Sequence, residues 1–398
     1  MRLSHISIVA LNLSNFMANA FAMDSEFASW EAHRRKLSQN GNVHRPIIIG
    51  YAHNVKSGKA EQAIKDGASV IIWSFLHFHV SKIGDASSQV KRGTIKTDLD
   101  LDEIGLLRNK YVKVVHLAAF GGWNGPHPPT KLNGQEWCEV FMDFNKAKGY
   151  IFDGIDWDYE GHDNLNSPTS KFTLESLDIM ADFSYHAKRK YGMIVSMAPA
   201  ESYLDAMADE RSIDTTFSLR LDFLPRAWTS SMYASDEDRK MIQSVGFSHA
   251  GRQCYAYVIA KAGVDVFDWI SIQLYEAYSP FAHDLSRRKV EPIDALMKRI
   301  NTLAHGYTVT NIPALPFSEY VVKIPLNKLV FGVANRWADG VKFCEVEPKW
   351  LKAAYQATMS EYNQGFLGIM FWVSCLFFLR YIIYIPHMYL ISIFVADN

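Results

Sequence analysis

Eight consecutive residues, Asp153-Gly154-Ile155-Asp156-Trp157-Asp158-Tyr159-Glu160, restrict what this chain can fold into more than any other segment. They follow the apolar run Gly149-Tyr150-Ile151-Phe152, so four acids interrupt a β-prone stretch. On a strand, alternate residues share a face. Asp156, Asp158 and Glu160 then point one way, and Ile155, Trp157 and Tyr159 the other, with successive same-face residues ~7 Å apart. A row of carboxylates on the inner face of a buried strand is costly unless protons are shared or partners supplied. A calcium loop fits poorly, because it wants Asp/Asn alternation around a central Gly, where this chain has Trp157 and Tyr159. A solvated face does not alternate with Ile, Trp and Tyr. The pattern points to acid/base chemistry.

The rest of the chain indicates where such a strand sits. At 398 residues it can form one large barrel or two smaller domains, and 48% hydrophobic against 21% charged residues implies a sizeable core. Short β-rich runs recur at Pro46–Ala52, Ala68–Leu76, Val112–Ala119, Tyr150–Asp158, Met193–Pro199, Trp269–Tyr275, Leu329–Ala334 and Leu367–Val373. Helical patterns fall between them at Ala60–Lys65, Leu101–Lys110, Gln135–Lys148, Leu174–Tyr191, Pro292–Ala304 and Pro348–Tyr362. Alternating strands and helices predict a parallel sheet, and eight such units predict an α/β fold, a single-domain (β/α)8 TIM barrel over residues 46–375. The acids end the fourth strand, on the face where barrels place their chemistry. The long connection Ala200–Gly263 reads equally well as a substrate wall or as a surface insertion with helices of its own.

A net charge of −1, with no basic run longer than Arg34-Arg35-Lys36, argues against a nucleic-acid partner. Cys138, Cys254, Cys344 and Cys375 form no CxxC pair, so no zinc site is expected, and both disulfides and free buried thiols stay open. No His/Glu spacing suggests a metal, and no cofactor is expected. Residues 1–22 read as a signal peptide, with Arg2, an apolar stretch from Ile6 and the small-x-small end Ala20-Phe21-Ala22, so secretion is expected. Residues 376–398 form an apolar tail carrying Arg380, Pro386 and His387. It reads as an anchor, a closing helix or a gene-model artefact. The artefact is favoured over membrane attachment, because a barrel should end in an amphipathic helix. A monomer is expected.

The acidic octapeptide resembles the DGxDxDxE signature of the family 18 glycoside hydrolases, the chitinase family, in its compact-barrel branch. Five further segments are similar in order and spacing: Ile49-Gly50-Tyr51, Phe120-Gly121-Gly122-Trp123, Met197-Ala198-Pro199, Ile272-Gln273-Leu274-Tyr275-Glu276 and Gly368-Ile369-Met370-Phe371-Trp372. Ala119 departs from the family's SxGG pattern, where Ser is usual. The resemblance implies Glu160 as general acid and then base, with Asp158 orienting the substrate's acetamido group and Asp156 sharing a proton with Asp158. It implies that Tyr275 donates a hydrogen bond to the acetamido oxygen. Trp372 would floor the sugar pocket, and Gln273, Tyr51, Trp123, Met197 and Glu276 would line it. Asp153, Gly154, Gly121 and Gly122 would be structural parts of the motifs. Trp228 and Trp337 are further sugar-platform candidates.

The resemblance implies a chitinase cleaving β-1,4 N-acetylglucosamine linkages in chitin or chito-oligosaccharides. Configuration would be retained through an oxazolinium formed by the substrate's own acetamido group, an exception to the two-carboxylate scheme. No inserted domain is visible near the seventh strand, which implies an open groove. The same chemistry on N-glycan cores, as an endo-β-N-acetylglucosaminidase, is an alternative. A chitin-binding lectin is another, though lectins of this family usually replace the acid that Glu160 supplies.

Overall fold

A computed structural model describes residues 27–28, 30–31, 46–53, 55–83, 90–162, 167–206, 215–219, 251–275, 279–286, 288–313, 316, 318–334 and 344–372. Its strands, in chain order, are β1 (Ile47–Ala52), β2 (Val70–Ile83), β3 (Val90–Lys96), β4 (Val115–Gly122), β5 (Gly154–Tyr159), β6 (Ile194–Met197), β7 (Trp269–Gln273), β8 (Tyr307–Thr310), β9 (Glu319–Val322), β10 (Leu329–Ala334) and β11 (Gly368–Trp372). Eight of them pair in parallel, in the order β1-β2-β4-β5-β6-β7-β10-β11, and β11 returns to β1. The sheet is therefore closed. Its helices are α1 (Lys59–Lys65), α2 (Leu101–Lys110), α3 (Gly134–Ala147), α4 (Leu174–Tyr191), α5 (Cys254–Ala262), α6 (Pro280–Ser286), α7 (Pro292–His305) and α8 (Pro348–Tyr362). This is the expected (β/α)8 barrel.

Strand parity divides the core into two layers. Ile49, Tyr51, Val70, Ile72, Leu117, Ala119, Ala198, Val330 and Met370 fill the lumen. The alternate residues, among them Ile71, Trp73, Phe120, Trp157, Val195, Met197 and Ile272, pack outward against the helices. Helix starts are fixed locally. Asn133 and Glu136 form a reciprocal capping box on α3, and Thr173 and Ser176 form one on α4. Such caps contribute about 1 kcal/mol each.

Parts of the fold differ from the sequence reading. The fourth barrel strand starts at Gly154 instead of Tyr150, because Tyr150 adopts φ 55° and the Asn145 amide ties down Phe152. Asn145 Nδ2 donates to Phe152 O at 2.8 Å, and Phe152 N donates to Asn145 Oδ1 at 3.0 Å. β2 runs on to Ile83 and turns back as antiparallel β3. A second hairpin, β8–β9, precedes β10. The connection Ala200–Gly263 does contain a helix of its own, as one of its two readings had it: it ends in α5, packed on α4. The leader 1–22, the tail 376–398, Cys375, Trp228, Trp337 and Glu276 lie outside the described residues.

Among the described residues no helix is long and apolar enough to cross a membrane, and no group of three or more His, Cys, Asp or Glu could hold a metal ion. Cys138, Cys254 and Cys344 are free thiols, the first two buried.

Candidate active site

The acids lie on β5, between β4 and β6. Asp156 and Asp158 are fully buried and Glu160, just past the strand end, is 9% exposed. Trp157 faces the other way, its indole Nε1 donating to Ser184 Oγ on α4 at 2.7 Å. Tyr159 also faces out, its carbonyl accepting from Tyr255 OH at 2.9 Å. This outer packing holds the strand so that the carboxyls enter the lumen.

Each acid has its own partners. Asp156 accepts hydrogen bonds from Tyr51 OH on one oxygen and Ser196 Oγ on the other. Asp158 Oδ1 accepts from Gln273 Nε2 at 2.8 Å, and the same nitrogen donates to Ala198 O at 2.6 Å. The carbonyl of Ala198 fixes which end of the amide faces the acids. Burial pushes the Asp156 carboxyl up to about 7, and the Ser196 and Tyr51 donors pull partly against it. Burial likewise pushes Glu160 up to about 7, with the Gln273 amide pulling it down. Tyr51 is held well above its ordinary range, by burial first and then by the charges of Asp156 and Asp158. A carboxylic acid that stays protonated near neutral pH can donate that proton, and Glu160 is the one at the mouth.

The close approach of β5 to its neighbours β4 and β6 depends on glycine. A β-carbon at Gly121, where φ is +129°, would lie 2.2 Å from Asp158 O, and one at Gly154 would lie 1.8 Å from Ile194 O. Gly122 is shaped in the same way by the Phe75 ring, 2.4 Å from its would-be β-carbon. Asp153 is outside the lumen row. It accepts from Arg108 Nη2 of α2 at 2.9 Å and from His116 N at 2.9 Å, binding the base of β5 to β4 and to a helix.

Around the acids, Trp372 at the end of β11 is half-buried. It packs on Tyr51, Phe75 and His53 with ring centroids 5.0, 5.9 and 5.4 Å away. Trp123 stands against Gly161, the residue after Glu160, its Cζ3 lying 3.1 Å from a would-be β-carbon there. Tyr275, 6% exposed, follows β7 two residues after Gln273. The structure thus gathers Tyr51, Asp156, Asp158, Gln273 and Ser196 at one end of the lumen.

Met197 is a correction. The resemblance placed it in the substrate pocket, but Ser196 points at Asp156, so its neighbour must point outward. Met197 is fully buried in the outer layer with Trp157 and Phe120.

Two contributors escaped the sequence reading. Ser196 is one, and its parity on β6 was the available signal. The other is His127, which is buried and whose Nε2 lies 2.8 Å from Glu160 O. Burial lowers its pKa to about 4, so it is neutral and steadies the Glu160 backbone by hydrogen bonding without adding charge. No sequence pattern announces it.

Compared with known proteins, the sequence matches no family model and no curated protein. Solved structures do match. The C-terminal domain of ChiA from Legionella pneumophila is 15% identical, with 82% of this chain and 92% of that one covered and a TM-score of 0.51. A family 18 chitinase from Pseudoalteromonas aurantia is 14% identical, with 85% and 99% covered and a TM-score of 0.48. A family 18 N-acetylglucosaminidase from Paenibacillus barengoltzii is 12% identical, with 85% and 98% covered and a TM-score of 0.45. At these identities the likeness concerns the fold alone, and that fold matches the one found in the family 18 glycoside hydrolases.

Proposed function

We propose that this protein is a retaining chitinase that cleaves β-1,4 linkages between N-acetylglucosamine units. The observation that carries the reading is the row Asp156, Asp158 and Glu160, with Glu160 at the mouth and its carboxyl pushed up to about 7. Glu160 donates its proton to the glycosidic oxygen as the bond to the anomeric carbon breaks. The acetamido carbonyl oxygen of the same sugar forms the new bond to that carbon, giving an oxazolinium. Asp158 accepts the acetamido N–H and favours the charge developing on the ring, while Gln273 holds Asp158 in place. Tyr275 donates to the acetamido oxygen. Water then loses a proton to the Glu160 carboxylate and adds to the anomeric carbon from the side the leaving group left, which regenerates the acetamido group and retains configuration. Trp372, and Trp123 against Gly161, supply flat apolar faces for sugar rings. Residues 1–22 support export of the protein, and we expect it to act as a monomer on chitin or chito-oligosaccharides.

The test is hydrolysis of fluorogenic chitobiose and chitotriose conjugates by the wild type and Glu160→Gln. Release by the wild type that falls at least about 1,000-fold in the variant supports the reading, in line with the usual worth of a positioned acid plus its charge. A wild type that binds chito-oligosaccharides without cleaving them refutes it in favour of a lectin.

A further inference from the structure

Asp156 lies between two strands at one level. Ala119 of β4 is its register partner on one side, and Ser196 of β6 on the other. All three residues are fully buried. Position 119 offers a methyl group, and Ser196 offers the only side-chain hydroxyl of this flanking pair. Its Oγ donates to Asp156 Oδ1 while Tyr51 OH donates to Oδ2. On its own strand, Ser196 stands between the apolar lumen residues Ile194 and Ala198, and Trp269 is its register partner on β7. A hydroxyl in such a place is costly to bury unless it is used.

We infer that Ser196 is a positioning residue for the acid row, taking over from β6 the hydroxyl that position 119 of β4 lacks, so that Asp156 is held from Tyr51 on one oxygen and from Ser196 on the other. The catalytic part of this inference rests on the chitinase reading; the structural part does not. A carboxyl gripped at both oxygens cannot rotate. Its neighbours Asp158 and Glu160 on the same stretch of chain then stand in a defined order above it. The other titratable groups facing this cluster are Tyr51 from β1, Tyr255 from α5 and Tyr275 after β7. Tyr51 and Tyr255 are raised by burial well above their ordinary range and do not titrate in the same window. A donated hydrogen bond favours the charged form of a carboxyl, so removing the Ser196 hydroxyl raises the Asp156 midpoint.

The experiment relocates the hydroxyl. Ser196→Ala, Ser196→Thr and the double variant Ala119→Ser/Ser196→Ala are compared with wild type in full-length protein. One readout is the titration of the Asp156 side-chain carboxyl carbon by NMR with labelled aspartate, assigned by its loss in Asp156→Asn. The other is kcat/KM against pH on the chitotriose conjugate. Ser196→Ala should raise the Asp156 midpoint by about 1 pH unit, the usual worth of one such hydrogen bond. It should lower kcat/KM by about 10-fold on the same basis. Ser196→Thr, and the double variant with its hydroxyl on the opposite strand, should bring both most of the way back. A midpoint that Ser196→Ala leaves in place, or that the relocated hydroxyl does not restore, overturns the inference. If Ser196→Ala does not fold, Ala119→Ser alone decides: an added donor lowers the Asp156 midpoint, and no change overturns the inference. A wild type that cleaves nothing refutes the chitinase reading, and the titration still decides the role of Ser196.

Discussion

Replacing Asp156 by Asn should stabilise the protein at alkaline pH and lose that advantage in acid. In the folded protein Asp156 titrates at about 7, against an ordinary value of 3.8. Burial is the cause, and the unfolded chain lacks it. Between these two values the folded state holds a proton that the unfolded state has released. Wild-type stability therefore falls as pH rises through this window, by about 1.4 kcal/mol per pH unit from this group alone. Across the whole window the cost is about 4 kcal/mol, complete by pH 8. Asn carries no charge at any pH, has the same shape, and can still pair with the hydroxyls of Tyr51 and Ser196, which rotate to donate or accept. The stability difference between the variant and wild type should thus shift by about 4 kcal/mol in favour of Asn between pH 4 and pH 8. Glu160 also titrates at about 7 and is present in both proteins, so its contribution largely cancels in the difference. The assay is urea unfolding at pH 4, 5, 6, 7 and 8, read by fluorescence and circular dichroism together to check that both report one transition. A stability difference that stays flat from pH 4 to pH 8 would refute the argument, because it would mean that Asp156 keeps its ordinary proton affinity inside the barrel.

Two further expectations concern other parts of the molecule. Arg299 is 2% exposed; it binds Glu201 through Nε and Asp284 through Nη1 at 3.0 Å, joining α7 to α6 and to the turn after β6. Arg299→Met should cost about 3–5 kcal/mol by leaving the buried Glu201 carboxylate without its cation and Asp284 with Arg288 alone, and a loss under about 1 kcal/mol in urea unfolding would overturn this account. Trp372→Ala should lower kcat/KM about 10- to 100-fold, chiefly through KM and without loss of stability beyond its half-buried area, because the proposed function makes Trp372 the sugar's apolar floor; unchanged kinetics would remove Trp372 from the pocket.

Much of this architecture was legible because period-2 patterning in a barrel is strict. The alternation in Asp153–Glu160 correctly separates lumen from outer layer, and α2, α4 and α8 keep the bounds that their patterns predict. Elsewhere the patterns mislead for physical reasons. The run Tyr150–Asp153 looks like strand by composition, yet a left-handed Tyr150 and the Asn145 amide hold it off the sheet. Helix α5, Cys254–Ala262, has seven buried residues out of nine, so it shows no polar face to reveal it. The strands of the β8–β9 hairpin have four residues each, too few for a period to register. In β2 the alternation of Phe78 and Val80 with His77 and His79 continues past Leu76 and was readable. At the site, the acids and Gln273 follow from motif and parity together. Met197 shows a motif overruled by parity, and Ser196 is a partner that no motif marks and that the sequence reading passed over.

The closure of the barrel has a consequence for how the protein is made. Ile47 of the first strand pairs with Gly368 of the last, so the ring has no seal until residue 368 has been synthesised. At about 5–20 residues per second, the ribosome leaves an open half-ring of aromatic and aliphatic lumen exposed for roughly 15–60 s. Contacts so distant in sequence are also slow to find one another. The pocket is tied to the same event. Tyr51 hangs from the first strand and Trp372 from the last, and their rings meet across the seam. A nascent chain that has reached β7 already carries its three acids but lacks the Trp372 ring, so the pocket is incomplete until the two ends of the barrel have met.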